Sequence, residues 1–271
     1  MKQRAVIVFG NSVFKKSDSK VFDEIGNIIV NLSKKFELIL FYDHSFYPKN
    51  VFPIAVKNAF LKNGKNQKVA SLDAKVVVDK SDSAFRKPTA FVGPSLTHYE
   101  ALKIAKTTRE NIKKDKNGNL RRFVPSPEPV SFVEKREISD LLTSGAVVIT
   151  SGEAVVYRTK TLKLLKNANA VVDRDLAAEK LAEILGADYF ISVTDVENVC
   201  LNFRTENEVK LRVLSPNEIN NYTKLQQFPE DTIGKKLEAC AKFARKKKTS
   251  IICSLDNLED SIKKQSGTVI E

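Results

Sequence analysis

The chain has 271 residues, of which 42% are hydrophobic and 29% charged, so it can bury a core and is not intrinsically disordered. Three cysteines and two histidines exclude a disulfide framework or a zinc site of the usual spacing, and no apolar run approaches the roughly 18 residues of a membrane span. The net charge of +12 suits a polyanionic partner or a phosphate-bearing ligand, but the basic residues are dispersed and no aromatic-interleaved basic stripe favours nucleic acid. The first residues run into Val6–Phe9 without a signal-peptide cleavage site, so we expect a cytoplasmic protein.

Short β-branched runs alternate with stretches of helical periodicity, which is the pattern of a parallel sheet covered by helices. The predicted strands are Arg4–Phe9, Glu37–Tyr42, Ala74–Val78, Ala146–Thr150, Asp188–Val193 and Ser250–Ser254. Apolar residues at helical spacing predict helices over Val21–Leu32, Leu176–Leu185 and Ile233–Ala244, with Gly186 placed to end the second. We therefore predict an α/β fold: a three-layer α/β/α sandwich on a mainly parallel sheet.

The segment Lys80–Glu134 breaks this alternation. It contains five prolines, and those at positions 125, 127 and 129 forbid a helix and favour an extended segment. One interpretation is a lid-like subdomain, residues 80–134, inserted into a single domain of residues 1–271. The alternative is a long surface excursion, since loops of this length are usually functional or disordered.

Two acidic clusters lie where a helix begins and where a strand ends. Asp173-Arg174-Asp175 opens the second predicted helix, where acids are favoured by the helix dipole, but such a cluster can also hold a cation against a phosphate. Thr194 and Asp195 follow a buried strand, and ligands of open α/β sheets bind outside the carboxyl ends of strands. Both clusters also fit ordinary caps and turns.

The third predicted helix begins with Asp231-Thr232-Ile233-Gly234-Lys235-Lys236. Lysine is disfavoured at a helix N-terminus unless an anion compensates it, and exposed backbone N–H groups there can hold a phosphate. No Walker-type or dinucleotide-binding glycine motif follows any predicted strand. The sequence therefore indicates a phosphate site outside those two classes.

Together these motifs resemble those of the carbamate kinases, within the amino acid kinase family. The resemblance extends from about position 70 to the end, and Arg121-Arg122-Phe123-Val124-Pro125-Ser126-Pro127-Glu128-Pro129 is its most specific part. The other matching segments are Val76–Phe85, Lys87-Pro88-Thr89, Val92-Gly93-Pro94, Asp173–Leu176, Thr194-Asp195-Val196, Gly234-Lys235-Lys236 and Gly267-Thr268-Val269.

This resemblance implies reversible phosphoryl transfer between ATP and carbamate, with Mg²⁺ bridging the phosphates. Lys80 would reach the transferred phosphoryl group from the inserted subdomain, and Lys236 would neutralise the nucleotide phosphates. Arg174 stands where the family has lysine, and Asp175 would hold these cations in register. The residues implied to border nucleotide or phosphate are Gly10, Asn11, Thr194, Asp195 and Gly234. Members of the family pair as homodimers, so the resemblance implies a homodimer here. We expect no metal ligands from the protein itself.

The first quarter of the chain departs from the family pattern. The family's Gly-Gly-Asn turn is reduced to Phe9-Gly10-Asn11-Ser12, its His-Gly-Asn-Gly loop is replaced by Asp43-His44-Ser45-Phe46-Tyr47-Pro48, and its later glycine run becomes Ser151-Gly152-Glu153-Ala154. Helices that follow the second strand in the family are largely missing. Each lost oxyanion-type donor costs on the order of 3 kcal/mol, so two lost loops would slow transfer by roughly four orders of magnitude.

Two hypotheses follow from this mixture. The chain is a carbamate kinase with a remodelled phosphoryl site, or it is a catalytically inactive relative that binds nucleotide or serves in assembly. We expect nucleotide binding to be retained and carbamate phosphorylation to be weak or absent.

Overall fold

The computed structural model describes residues 2–14, 20–43, 49–108, 111–228 and 233–271. The helices are α1 (Lys20–Leu32), α2 (Val51–Lys62), α3 (His98–Thr108), α4 (Lys135–Thr143), α5 (Arg174–Ile184), α6 (Pro216–Lys224), α7 (Lys235–Ala244) and α8 (Leu258–Ile262). The strands are β1 (Gln3–Phe9), β2 (Phe36–Phe41), β3 (Val69–Val78), β4 (Ala90–Leu96), β5 (Asn111–Lys114), β6 (Leu120–Val124), β7 (Pro129–Phe132), β8 (Val147–Arg158), β9 (Leu165–Asn167), β10 (Tyr189–Thr194), β11 (Val199–Leu201), β12 (Val209–Leu211), β13 (Val213–Leu214), β14 (Thr249–Ser254) and β15 (Thr268–Ile270).

One large sheet organises the described part of the chain. Its strand order is β13-β15-β14-β10-β1-β2-β8-β3-β7, with β9 paired to β8. The consecutive pairs from β14 to β3 are all parallel, whereas β7, β9 and β15 run antiparallel to their neighbours β3, β8 and β14. All six predicted strands lie in this sheet, and the predicted mainly parallel α/β architecture is confirmed.

Helices cover both faces of the sheet, which explains why its central strands are apolar without alternation. In β1 the five residues from Ala5 to Phe9 are fully buried, as expected for a parallel strand covered on both sides. One core cluster joins the sheet to α1, α2 and α8, and the other joins it to α4, α5, α6 and α7. These two cores are the two interfaces of the predicted three-layer sandwich.

The inserted segment forms a small sheet of its own and then returns to the large one. Strands β4, β6 and β5 make a three-stranded antiparallel sheet next to α3. The last strand of the segment, β7, pairs with β3 at the edge of the main sheet, with Pro129 opposite Val78. Proline is tolerated there because an edge strand leaves one side without ladder partners. The lid function of residues 80–134 stays a prediction.

Strand β8 is much longer than predicted. The sequence Ser151-Gly152-Glu153 indicates a break after Thr150, yet β8 continues to Arg158 alongside β3, with a register shift near Asp73. A Cβ atom on Gly152 would lie 2.9 Å from both Phe41 Cζ and Val76 Cγ2 and 3.4 Å from Ala177 Cβ. The side chains of Phe41 in β2 and Val76 in β3 therefore leave no room for a larger residue here. The segment that replaces the family's glycine run is therefore part of a continuous strand.

No helix in the described ranges is long and apolar enough to cross a membrane.

Candidate active site

The predicted site residues meet at the carboxyl edge of the sheet, as expected for an open α/β fold. Strands β1 and β10 are parallel neighbours that end together, with Phe9 opposite Val193, and α5 and α7 begin beside them. A cavity of about 1820 Å³ opens at this edge. Seven of the nine predicted residues line it, namely Gly10, Asn11, Arg174, Asp175, Thr194, Asp195 and Lys236.

Lys236 is held in a buried ionic contact at the base of this cavity. Its Nζ lies 3.1 and 3.0 Å from the two carboxylate oxygens of Asp175, and the exposed fractions of the two side chains are 13% and 9%. The helix α5 places Asp175 in its first turn and α7 places Lys236 in its first turn, so the tertiary structure joins two helix starts that are 61 positions apart. Such a charge-assisted pair fixes the ammonium group more firmly than a surface ion pair would.

Ser192 completes this contact, and the sequence analysis assigned it no role. Its hydroxyl donates to Asp175 Oδ1 at 2.8 Å and accepts from Lys236 Nζ at 3.2 Å. The residue is fully buried in β10, between Val8 of β1 and Ile252 of β14. A serine inside an otherwise apolar strand is the only sequence signal that could have indicated it.

The two glycines predicted for phosphate binding have different surroundings. Gly10 donates its backbone N–H to Val193 O at 2.9 Å, and a Cβ there would lie 3.0 Å from the same oxygen and 3.4 Å from Lys236 Nζ. The absence of a side chain thus keeps the space beside the ammonium group open. Gly234 precedes α7 in helical conformation and is not among the residues that line the cavity. Asp231 and Thr232, at the start of the same motif, lie outside the described residues.

Arg174 lines the cavity, and its guanidinium is hydrogen-bonded to two other residues of the protein. One terminal nitrogen donates to Phe9 O at 3.1 Å, and the other donates to Asp43 Oδ2 at 2.7 Å. Arg174 therefore links the ends of β1 and β2 to the start of α5. Asp43 is a second residue that the sequence analysis did not assign; it follows β2 directly, which was the available signal. His44 and the rest of that replaced loop, to Pro48, lie outside the described residues.

Polar groups at the end of β10 and after β1 line the cavity close to Gly10. Thr194 Oγ1 donates to Asp195 Oδ1 at 3.1 Å and lies 3.4 Å from Ser12 Oγ. Asn11 Oδ1 is buried without a hydrogen-bond partner among the described residues. An unsatisfied buried acceptor is costly and is common where a ligand supplies the missing donor.

Lys80 lies away from this cluster. Its ammonium group is 4.0 Å from the centroid of the Phe85 ring and 5.3 Å from that of Tyr157, and the residue does not line the cavity. These contacts are cation–π interactions. Contact with a transferred phosphoryl group would require the ammonium to leave both rings.

Acidic groups lie beside the cations that line the cavity. Asp173 caps α5 by accepting from Leu176 N at 3.1 Å, while burial and the charge of Asp175 raise the pKa of Asp173 above its ordinary value. Burial alone would lower the pKa of Lys235, but its hydrogen bond to Glu238 raises it. Glu153 also lines the cavity. Within the described residues, no group of three or more histidine, cysteine, aspartate or glutamate side chains could hold a metal ion.

The inserted segment contributes one wall of the cavity. Phe91, Gly93 and Pro94 of β4 and Arg121 of β6 line it. Arg121 donates through Nε and one terminal nitrogen to Gly93 O, at 3.1 and 2.8 Å. These contacts join β6 to β4 within the small sheet. The cavity is therefore lined by residues of both the sandwich and the inserted segment.

Comparison with known proteins matches this architecture to one family. A sequence model described as "Amino acid kinase family" matches residues 66–254. The carbamate kinase of Clostridium perfringens is 37% identical over 217 residues, which are 79% of this chain and 69% of that protein, and the carbamate kinase of Pyrococcus horikoshii is 35% identical over 217 residues, 80% of this chain and 69% of that protein. The structure of carbamate kinase from Giardia lamblia bound to AMP-PNP superposes with a TM-score of 0.87 at 25% identity, covering 99% of this chain and 98% of that one. The chain therefore belongs to the carbamate kinases, a branch of the amino acid kinase family.

Proposed function

We propose that the protein transfers a phosphoryl group between ATP and carbamate, making ATP from carbamoyl phosphate and ADP in the reverse direction. The observation that carries this proposal is the buried Lys236–Asp175 contact beside Gly10, at the edge of the sheet where two helix N-termini and a large cavity meet. The Giardia lamblia relative is a carbamate kinase that was solved with AMP-PNP. Its fold and ours agree over nearly the full chain, so we place the nucleotide of this protein in the same cavity.

Catalysis would consist mainly of positioning and charge neutralisation, because phosphoryl transfer requires little covalent chemistry from the protein. Lys236 would donate to the nucleotide phosphates while Asp175 keeps its ammonium group in place. Thr194 and Asp195 would border the nucleotide, and the N-terminus of α7 after Gly234 would add backbone donors to the phosphates. Lys80 would approach the transferred group from the inserted segment when that segment closes as a lid.

Magnesium would enter this site with the nucleotide, held chiefly by phosphate oxygens. Asp173, Asp175 and Asp195 line the cavity but form no metal-holding cluster among the described residues, and Asp175 is paired with Lys236. When bound, the ion would neutralise charge on the transferring group. We assign no direct protein ligand to it.

We expect this protein to bind nucleotide but to transfer the phosphoryl group slowly. The specific observation is that Arg174 donates one N–H to Asp43 and one to Phe9 O, so two of its five donors attach the guanidinium to the protein and pair its charge with Asp43. Glu153 adds a negative charge to the same cavity, which opposes an anionic acceptor such as carbamate. The alternative function, a nucleotide-binding protein without transfer activity, rests on these same two observations.

Two measurements on purified protein separate the alternatives. The first is a coupled assay of ATP formation from carbamoyl phosphate, ADP and Mg²⁺, and the second is calorimetric titration with ADP. Turnover that Lys236→Met abolishes, while Lys242→Met retains it, supports the phosphotransferase. Lys242 is a suitable control because it lies on the same helix and is ion-paired with Glu128 and Glu238, outside the cavity. ADP binding without turnover supports the alternative, and absence of both contradicts the proposal.

We further propose a homodimer, as in the family. Light scattering at micromolar concentration that gives twice the mass of 30.3 kDa would support this assembly. A monomer mass at that concentration would contradict it.

A further inference from the structure

Lys236 has three N–H donors, and three acceptor atoms of two residues lie within 3.2 Å of its Nζ. The two oxygens of Asp175 lie at nearly equal distances from Nζ, 3.1 and 3.0 Å, so a single N–H can serve both as a bifurcated donor. A second N–H faces Ser192 Oγ at 3.2 Å. The tetrahedral ammonium then has one N–H left, on the side where Gly10 leaves space.

Ser192 also fixes Asp175, because its only O–H donates to Oδ1 at 2.8 Å. The atoms Lys236 Nζ, Asp175 Oδ1 and Ser192 Oγ therefore form a closed triangle with sides of 3.1, 2.8 and 3.2 Å. Without the Ser192 hydroxyl, the ammonium group of Lys236 would still be paired with Asp175. It could then rotate about its terminal C–N bond and shift along the carboxylate. Ser192 supplies the second point of attachment that excludes both motions.

We propose that Ser192 is a positioning residue that aims the remaining N–H of Lys236 at the phosphate of the bound nucleotide. This inference rests on the proposed function, since it assumes that phosphate lies beside Gly10. Ser192 is fully buried beneath the pair, so it cannot touch the nucleotide itself. Its effect acts through Lys236 and is largest in the transition state, where charge on the transferring group is greatest.

The test compares three purified variants in the coupled assay. Ser192→Ala removes the hydroxyl, and Ser192→Cys keeps nearly the same volume with a weak donor. Ser250→Ala is the matched control: Ser250 is equally buried, lies in the neighbouring strand β14, and donates to a backbone carbonyl, Cys240 O, at 2.7 Å. Ser192→Ala and Ser250→Ala each lose a buried hydrogen bond, so comparable falls in Tm are expected for these two variants.

We expect kcat of Ser192→Ala to fall about 10-fold, with KM for ADP within about threefold of the unmodified protein, while Ser250→Ala keeps its kcat. Ser192→Cys should fold with nearly unchanged Tm and still lose most of this rate. Retention of kcat in Ser192→Ala, or equal losses in Ser192→Ala and Ser250→Ala, would overturn the proposal.

Failure of the proposed function is distinguishable from failure of this inference. If the unmodified protein forms no ATP, calorimetry with ADP and with adenosine replaces the assay. Ser192→Ala should then bind ADP about two- to threefold more weakly than the unmodified protein while binding adenosine equally, because only ADP carries the phosphates that Lys236 contacts. Equal ADP affinity in the two proteins would overturn the positioning role.

Discussion

Two cations at the same edge of the sheet are held in opposite ways. Lys236 contacts a buried carboxylate and a buried hydroxyl, which leaves one N–H toward the open space at Gly10. Arg174 donates one N–H to Phe9 O and one to Asp43, so two of its five donors attach the planar guanidinium to the ends of β1 and β2. Positive charge at the edge of the cavity is therefore not sufficient to identify a phosphate ligand. What matters is whether the contacts that hold the cation let its remaining donors face the cavity.

The largest expected effect comes from removing Lys236. Lys236→Met leaves Asp175 as an uncompensated buried charge, so the free energy of unfolding should fall by about 3–5 kcal/mol in urea denaturation. ADP affinity should fall roughly 10- to 100-fold. The double variant Lys236→Met with Asp175→Asn should regain most of the stability without regaining ADP binding. If the double variant binds ADP normally, Lys236 does not contact the nucleotide.

A second expected effect concerns two carboxylates one turn apart on α5. Asp175 is buried with a cation, whereas burial raises the pKa of Glu179 to about 7 from an ordinary value of 4.5. Because the folded state holds this proton more tightly, the stabilisation is complete below about pH 4.5 and is lost as the pH rises to about 7. The loss amounts to roughly 3 kcal/mol at most, measured as the free energy of unfolding across that range.

The matched control for this pH dependence is Glu183, one turn further along α5. Hydrogen bonds from Lys180 and Lys246 lower the pKa of Glu183, so its contribution has the opposite sign and appears at lower pH. Glu179→Gln should flatten the pH dependence of the unfolding free energy between pH 4.5 and 7. Glu183→Gln should leave that dependence unchanged. An unchanged slope in Glu179→Gln would show that another group causes it.

Gly152 tests whether the remodelled strand serves packing or phosphate binding. Gly152→Ala would place a Cβ at 2.9 Å from Phe41 and Val76, so overpacking should cost about 1–3 kcal/mol of unfolding free energy. Glu153→Ala, at the exposed next position of β8, should change it by less than about 0.5 kcal/mol. Thermal unfolding of the two variants gives the comparison. Loss of ADP binding without loss of stability in Gly152→Ala would favour a phosphate role.

The smallest effect in free energy is expected at Asp43. Asp43→Asn weakens the attachment of Arg174, so its guanidinium can turn toward the phosphates, and kcat should rise several-fold, about 1 kcal/mol in barrier. ADP affinity should change little, because the Lys236 contact remains. Arg174→Lys on its own, measured in the same coupled assay, shows whether the fork geometry or the charge matters. A fall in kcat for Asp43→Asn would show that Asp43 orients Arg174 productively.

The sequence by itself determined the class of fold and the family, because both depend on local patterns. Short apolar runs predicted six strands, and all six lie in the observed sheet. The motifs from about position 70 onward identified the family to which the relatives belong. Gly186, predicted to end a helix, follows α5 with a φ of 64°. Seven of nine predicted site residues line one cavity because the carboxyl ends of parallel strands share one edge.

Only the tertiary structure decided how those residues are held. The Asp175–Lys236 contact spans 61 positions, Ser192–Lys236 spans 44, and Arg174–Asp43 spans 131. No local pattern encodes such contacts. They depend on which strands are neighbours and on which polar groups become buried away from water. The same reason explains β8: a local glycine indicates a turn, but the space beside Phe41, Val76 and Ala177 requires a residue without a side chain in a continuous strand.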